Sequence, residues 1–267
     1  MIRLIATDLD GTLLNAASDL TDRTRRALAA AMERGVMISL SSGRMTEAML
    51  PFARDIGVNA PMILFNGALI YDHRTDVTYY KNALPADLAR AVAQRIEEMG
   101  VYLQAYPGKG YFCSERTSYT RMYESSIRVK CASVGMPLSE WIQGDMIKLL
   151  AISTQERIDQ VQPVLQREFP TGVRFMKSRD NFLEIVAEGI DKGVALRALA
   201  ERLGLGMDQV MAFGDGQNDA PMLEAAGIGV AMANAVPECM DVAQIIAMKN
   251  TEDGVARVIE EELGGRS

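Results

Sequence analysis

The sequence predicts an α/β protein, a doubly wound, Rossmann-like parallel sheet core with an inserted α+β domain. Three observations carry this. Short apolar runs alternate with amphipathic helical stretches at both ends of the chain, the pattern of βαβ units whose sheet is covered on both faces. The middle instead shows pairs of strand-like runs around polar turns, which favours antiparallel pairing. The motifs that carry chemistry all fall in the two ends, after predicted strands or at predicted helix starts, where open parallel sheets bind their ligands.

Element by element, residues 2–6, 36–40 and 62–65 read as buried strands, as do 210–213, 228–232 and 245–247. Between the first two lies a helix over 22–34, with Thr21 or Asp22 as N-cap and Gly35 placed to end it. A second runs over 193–203 and is stopped by Gly204. In the middle, 68–72 and 77–81 flank a polar turn as a hairpin, and Leu84-Pro85 opens a helix through Met99. Strands 101–106 and 111–114, helix 118–130, strand 146–153, helix 155–169 and the hairpin 173–177/182–187 complete it. The core is therefore expected in residues 1–83 and 189–267, with the insert at 84–188.

Composition narrows the function classes. At 267 residues the chain has ample length to bury a core. A net charge of −7 argues against nucleic acid as a partner, though not against a local pocket for a small anion. Cys113, Cys131 and Cys239 are odd in number and lack C-x-x-C spacing, which suggests reduced thiols and a cytoplasmic setting. No signal-peptide pattern opens the chain, and no apolar stretch is long enough for a membrane span. The one histidine, His73, sits in a polar turn, which speaks against a histidine-rich zinc site.

Asp8-Leu9-Asp10-Gly11-Thr12 follows the first strand directly. Two carboxylates two residues apart at a strand end are expected to point the same way, and Gly11 lets the backbone turn without a Cβ in its path. Such a pair can hold a hard cation, and one member can attack phosphorus. The expectation is a magnesium-dependent phosphatase. Ser41-Ser42-Gly43-Arg44 offers a hydroxyl and backbone amides to a phosphate oxygen, although such residues more often only cap a helix. Lys192, in Asp191-Lys192-Gly193, could neutralise a nucleophile and a phosphoryl group, where a lone lysine is usually solvated. Gly214-Asp215-Gly216-Gln217-Asn218-Asp219 supplies oxygen donors that suit Mg²⁺. Asn66-Gly67 is more often just a turn, though it lies on the same sheet edge.

Other features have a plainer reading. Met32, Met37, Met62 and Met211 suit adaptable core packing, and Trp141 is expected to pack rather than stack on a ligand. Alternation alone does not say which sheet face Tyr102, Tyr106 and Tyr111 take, and Lys148 and Arg179 could contact an anion, although solvated charge is the default expectation.

Taken in order, Asp8/Asp10, Ser42, Lys192 and Asp215/Asn218/Asp219 resemble the motifs of the haloacid dehalogenase-like hydrolases. Within them the chain is similar to the Cof-type sugar-phosphate phosphatases, which carry a large α/β cap between the second and third motifs. The resemblance spans essentially the whole length. It implies Asp8 as nucleophile of a phospho-aspartyl intermediate and Asp10 as general acid and base. It also implies Mg²⁺ held by Asp8, the backbone carbonyl of Asp10, and Asp215. Ser42, Gly43, Lys192, Asn218 and the Leu9 amide would touch the phosphoryl group, with Asp219 behind them. The implied partner is a small phosphorylated metabolite, with oligomeric state left open. A phosphomutase using the same phospho-aspartate is the alternative. A non-catalytic phospho-ligand sensor is a third reading, against which intact Asp8, Asp10, Lys192 and Asp215 speak.

Overall fold

Five of the six apolar runs at the ends of the chain become strands of one parallel sheet in the computed structural model, which describes residues 1–264, and the run at 62–65 enters a separate three-stranded sheet. Strand β1 (Leu4–Thr7), buried throughout, connects through α1 (Asp22–Glu33) to β2 (Met37–Leu40). Thr21 is the N-cap of α1, its hydroxyl oxygen accepting from the Thr24 amide at 3.2 Å. Helix α2 (Thr46–Ile56) leads to β3 (Met62–Leu64), which pairs antiparallel with β4 (Leu69–Asp72); β5 (Val77–Lys81) follows on the far side of β4.

The middle of the chain contributes α3 (Ala86–Glu98), β6 (Tyr102–Tyr106), β7 (Phe112–Cys113), α4 (Ser118–Ile127), β8 (Ala132–Ser133) and α5 (Leu138–Trp141). It continues with β9 (Lys148–Ile152), α6 (Gln155–Glu168), β10 (Val173–Arg179) and β11 (Phe182–Ala187). The chain then returns to the first sheet with α7 (Lys192–Arg202), β12 (Val210–Gly214), α8 (Ala220–Ala225), β13 (Ile228–Met232), α9 (Pro237–Val242), β14 (Ile245–Ala247) and α10 (Gly254–Gly264).

Two compact units result. One comprises Met1–Arg44, Leu50–Tyr80 and the residues from Asp191 onward; the other comprises Met45–Met49 and Lys81–Ile190. In the first, the strand order is β14-β13-β12-β1-β2 and every pairing is parallel. The chain runs outward from β1 on one side through β2 and returns on the other at β12. The carboxyl ends of β1, β2 and β12 therefore flank a switch in winding direction, the place where such sheets open a crevice. Leu4, Ala6, Leu196, Leu199, Val210, Ala212, Met222 and Leu223 form the core beneath it. Met62 and Met211 are fully buried, and Met37 packs against the same cluster, as a packing role requires.

The second unit has a six-stranded sheet, β10-β11-β9-β6-β7-β8, antiparallel except for the β7–β8 pair. Strand β8 is absent from the sequence reading, being too short for any hydrophobic period to register. Helix α4 stops at Ile127 rather than at 130 because Arg128 takes a left-handed φ of 57°. Trp141 packs on Phe112 with ring centroids 4.6 Å apart. Lys148 is not solvated as expected: it is buried in the middle of the sheet, 3.5 Å from Glu184 and 4.8 Å from the Tyr106 ring centre. A carboxylate and an aromatic face compensate its charge there. Among the described residues no helix is long and apolar enough to cross a membrane.

Glu124 ties this unit together locally. Its buried carboxylate takes both Arg116 nitrogens, at 2.8 and 2.7 Å, and the Cys131 amide at 2.8 Å. Those bonds, from Arg116 first, hold its carboxyl at about 2 against an ordinary 4.5. A depressed folded-state value stabilises the fold above the unfolded value and is lost as pH falls through the folded one. Trp141 is the chain's one tryptophan and reports on this unit. Its fluorescence-detected urea midpoint should drop between pH 4.5 and about 2, and more steeply in wild type than in Glu124→Gln.

Candidate active site

Asp8 is the first residue past β1, and its amide donates to the Phe213 carbonyl at 2.9 Å, pinning it to the exit of β12. Its side chain is buried. The backbone does not stay extended as far as Asp10: residues 9–13 wind into a tight loop in which Gly11 has φ 81°. A side-chain period of two holds only along extended chain, so the expected common aim of the two acids is corrected. Asp8 meets Lys192, whereas the half-exposed Asp10 is gripped by Arg44, Nε to Oδ2 at 2.7 Å and Nη2 to Oδ1 at 2.6 Å. Gly11 is needed for space as well as for conformation, since a Cβ there would lie 2.3 Å from Asp215 Oδ2.

Lys192 enters from the first turn of α7, whose N-cap Asp191 accepts from the Val194 amide at 2.7 Å. The lysine is fully buried, which is rare for lysine unless it is paired. Its Nζ donates to Asp8 Oδ1 at 2.7 Å, Asp219 Oδ1 at 2.5 Å and the Ser41 carbonyl at 3.2 Å. All three ammonium protons are therefore engaged. Burial works against its charge, but Asp219 and Asp8 outweigh this and raise its pKa above the ordinary lysine value.

The acidic turn follows β12. Asp219 Oδ2 accepts from the amides of Asp215 and Gly216, at 3.0 and 2.9 Å, so with Lys192 on its other oxygen it serves to knit the turn. Asp215 Oδ1 accepts from the Thr12 hydroxyl at 2.6 Å. The Asn234 amide donates to the Gly11 carbonyl at 2.8 Å and lies 3.5 Å from Asp215 Oδ2.

One carboxylate oxygen from each of Asp8, Asp215 and Asp219 falls within 4.8 Å of the others. Three acids face a single ammonium, which leaves two negative charges uncompensated in a mostly buried site. Burial, then the charge of Asp219, raises Asp8 against the pull of Lys192. Burial likewise pushes Asp215 up to about 6, with the Thr12 bond opposing and Asp219 adding. Hard oxygen donors with an excess of two negative charges fit a divalent cation such as Mg²⁺.

Ser42 is buried beside this cluster. Its Oγ accepts from the Arg44 amide at 3.1 Å, and its own amide donates to the Ile63 carbonyl at 2.9 Å. Gly43 lies against Asn66, whose Oδ1 a Cβ at position 43 would approach to 2.7 Å, and the Asn218 side-chain amide donates to that same oxygen at 2.8 Å. Gly67, at φ 102°, abuts the Asp191 carbonyl at the start of α7, where a Cβ would come to 2.2 Å. Leu9 is fully buried between the two acids. The structure thus gathers Asp8, Lys192, Asp215 and Asp219 directly, while Asn66 joins Gly43 and Asn218 to each other.

Three participants escaped the sequence reading, whereas Asn66 is singled out there but weighed as a plain turn. Thr12 and Arg44 stand inside motifs already singled out. Asn234 follows β13, so the rule that favours strand exits could have found it.

The sequence pattern of the haloacid dehalogenase-like hydrolase family matches residues 5–259. The chain belongs to that family. As a member, it is 30% identical to the pyridoxal phosphate phosphatase of Escherichia coli, over 98% of each chain. It is 27% identical to the 5-amino-6-(5-phospho-D-ribitylamino)uracil phosphatase of Bacillus subtilis, over 97% of this chain and 96% of that one. Among solved structures, a haloacid dehalogenase-like hydrolase from Bacteroides thetaiotaomicron superposes with a TM-score of 0.91 at 28% identity, covering 98% of this hydrolase and 100% of the other. A Thermotoga maritima protein gives 0.91 at 31% identity over 98% and 97%.

Removing the ammonium should leave this hydrolase with buried, unpaired acids. Lys192→Met is expected to lower unfolding free energy by about 3–5 kcal/mol, read by urea denaturation without added metal.

Proposed function

We propose that the chain is a Mg²⁺-dependent phosphoric monoester hydrolase that acts on small phosphorylated metabolites through a phospho-aspartyl intermediate on Asp8. The observation that carries this reading is the buried Asp8 carboxylate, bonded to Lys192 and packed beside Asp215 and Asp219. A carboxylate can approach a phosphate only where the charge of both is offset, and phosphoryl transfer asks for little beyond that offset and good positioning. The phosphatase names of the full-length relatives from Escherichia coli and Bacillus subtilis support the reaction class, and both act on small phosphorylated molecules.

In this reading Asp8, the Asp10 backbone carbonyl and Asp215 hold Mg²⁺, and Asp219 steadies the turn behind them. Bound there, the ion supplies positive charge against the phosphoryl oxygens. Asp8 attacks phosphorus as the bond to the leaving oxygen breaks, and Asp10 gives that oxygen a proton. Asp10 then takes a proton from the water that opens the intermediate and frees inorganic phosphate. Arg44 is the side chain that orients Asp10. The Ser42 hydroxyl, the Leu9 and Gly43 amides and the Asn218 side chain cradle the phosphoryl group. Lys192 acts chiefly by keeping Asp8 in place and its charge offset, since its three protons are already bonded to protein. The inserted domain, residues 84–188, serves as the cap that selects the leaving group, with sugar phosphates within the expected range.

Hydrolysis of an aryl phosphate with Mg²⁺ tests the assignment. Asp8→Asn should lower kcat by at least about a thousandfold, while equal rates would remove Asp8 from the nucleophile's role. Chelation with EDTA should abolish turnover in wild type and excess Mg²⁺ should restore it. Activity that survives exhaustive chelation would end the metal assignment.

A further inference from the structure

The segments that carry the proposed cation ligands are tied together by two asparagines that lie outside them. Asn234 stands two residues past β13, and Asn250 three residues past β14. The side-chain amide of Asn234 faces two of those segments at once. Its Nδ2 donates to the Gly11 carbonyl at 2.8 Å and lies 3.5 Å from Asp215 Oδ2. Its Oδ1 accepts from the Asn250 backbone amide at 3.0 Å, and Asn250 Nδ2 in turn donates to the Leu14 carbonyl at 2.7 Å. These contacts form a bridge that begins and ends on the loop after Asp8 and takes in Asp215 on the way.

Both ends of the bridge are supported from behind. The Ala235 amide donates to the Met232 carbonyl at 2.8 Å, and the Val236 amide to the Asp215 carbonyl at 2.9 Å. Asn234 is thus carried on a turn that is itself fastened to the acidic turn. Asn250 opens a short 3₁₀ turn, Asn250–Glu252, that ends at Asp253 with a left-handed φ of 58°. Such a residue persists where its surroundings over-determine it. Here the Thr21 hydroxyl donates to the Asp253 carboxylate at 2.6 Å, and a Cβ on the following Gly254 would run into the Met248 carbonyl.

Asn234 is exposed and Asn250 half-buried. Hydrogen bonds for which water is a ready substitute add little to folding, so what these bonds chiefly fix is position. Thr12 grips Asp215 Oδ1 from within the loop, and Asn234 addresses the other oxygen from outside it. The Gly11 carbonyl, held by the same amide, belongs to the residue directly after Asp10. The amide therefore sets both the turn of the Asp215 carboxylate and its spacing from the Asp10 carbonyl. Mg²⁺ demands near-ideal octahedral geometry, so its affinity depends on such placement.

We propose that Asn234 is a positioning residue for the divalent cation, and that Asn250 holds Asn234 and the loop end at Leu14 in register with each other. This inference rests on the Mg²⁺ reading of the acid cluster. Neither asparagine ligates the ion; each acts through Asp215 and the loop that carries the Asp10 carbonyl.

Isothermal titration of Mg²⁺ into the metal-free full-length protein tests it without recourse to turnover. Asn234→Ala should raise Kd about tenfold or more over wild type, and Asn250→Ala should raise it by a smaller factor. Asn15→Ala is the control. Asn15 Oδ1 accepts from the Ala17 and Asp19 amides, at 2.9 and 3.1 Å, and so shapes the same stretch of chain without reaching Asp215; its loss should leave Kd unchanged. An Mg²⁺ concentration that raises the wild-type melting temperature should raise that of Asn234→Ala by less. An unchanged Kd in Asn234→Ala, or a weakening that Asn15→Ala shares in full, would overturn the proposal and leave the metal reading standing. Wild-type protein that takes up no Mg²⁺ would overturn both. Should Asn234→Ala fail to fold, Asn250→Ala carries the same test.

Discussion

The buried ammonium of Lys192 is the interaction on which the first unit's architecture converges. It joins four pieces of chain far apart in sequence: the exit of β1 through Asp8, the exit of β2 through the Ser41 carbonyl, the turn after β12 through Asp219, and α7, which carries the lysine. Taking such a charge out of water costs several kcal/mol, and only close, well-directed partners repay it. The two bonds to carboxylates are short, and the three together use every donor the ammonium has, so a shift of any one strand end would leave an unpaired proton or carboxylate inside. The strand ends are thereby held in register with each other by chemistry as well as by the sheet.

This clamp does not make the site electrically neutral, and the residue left over points to what the site binds. Asp219 is consumed by structure: one oxygen on Lys192, the other on two backbone amides. Among the described residues Asp8 takes a single lysine proton, and Asp215 the Thr12 hydroxyl and a distant Asn234 amide. Two acids with spare lone pairs beside one fixed acid form a concentrated negative field, and their raised proton affinities express the same excess. Protons and a divalent cation are then alternative ways to relieve one repulsion. Gly11 belongs to this arrangement, because any side chain at that position would displace Asp215 from the cluster.

How far the sequence revealed this depends on the kind of signal. The parallel strands were legible because each is a short apolar run, buried throughout in β1 and β12, and the motifs at their ends were legible because strand exits converge in this topology. The direction of Asp10 was not, since extended chain gives way to a wound loop directly after Asp8, at Leu9, between the two acids. Arg44 and Asn234 act through contacts to partners 34 and 223 residues away, and such pairings leave no mark on local periodicity. Lys148 was misjudged for the same reason: its compensating carboxylate lies on another strand.

The second unit shows what decides the face a strand residue takes when alternation does not. Leu103 and Ala105 are apolar and buried, and the intervening Tyr102, Gln104 and Tyr106 must take the opposite face. That face is not wet. Tyr106 donates to Gln104 Oε1 at 2.7 Å, Gln104 Nε2 lies 3.2 Å from the Tyr102 hydroxyl, and Tyr102 reaches Thr120 at 2.7 Å. Each buried polar atom in this row is tolerated only because the next one answers it, so the row forms as a unit or not at all. A leucine at position 104 would keep the alternation and the volume while leaving two tyrosine hydroxyls each short of a partner. The hydrogen-bond row, more than the hydrophobic period, therefore fixes which way β6 faces, and a glutamine flanked by tyrosines at spacing two is the sequence trace it leaves.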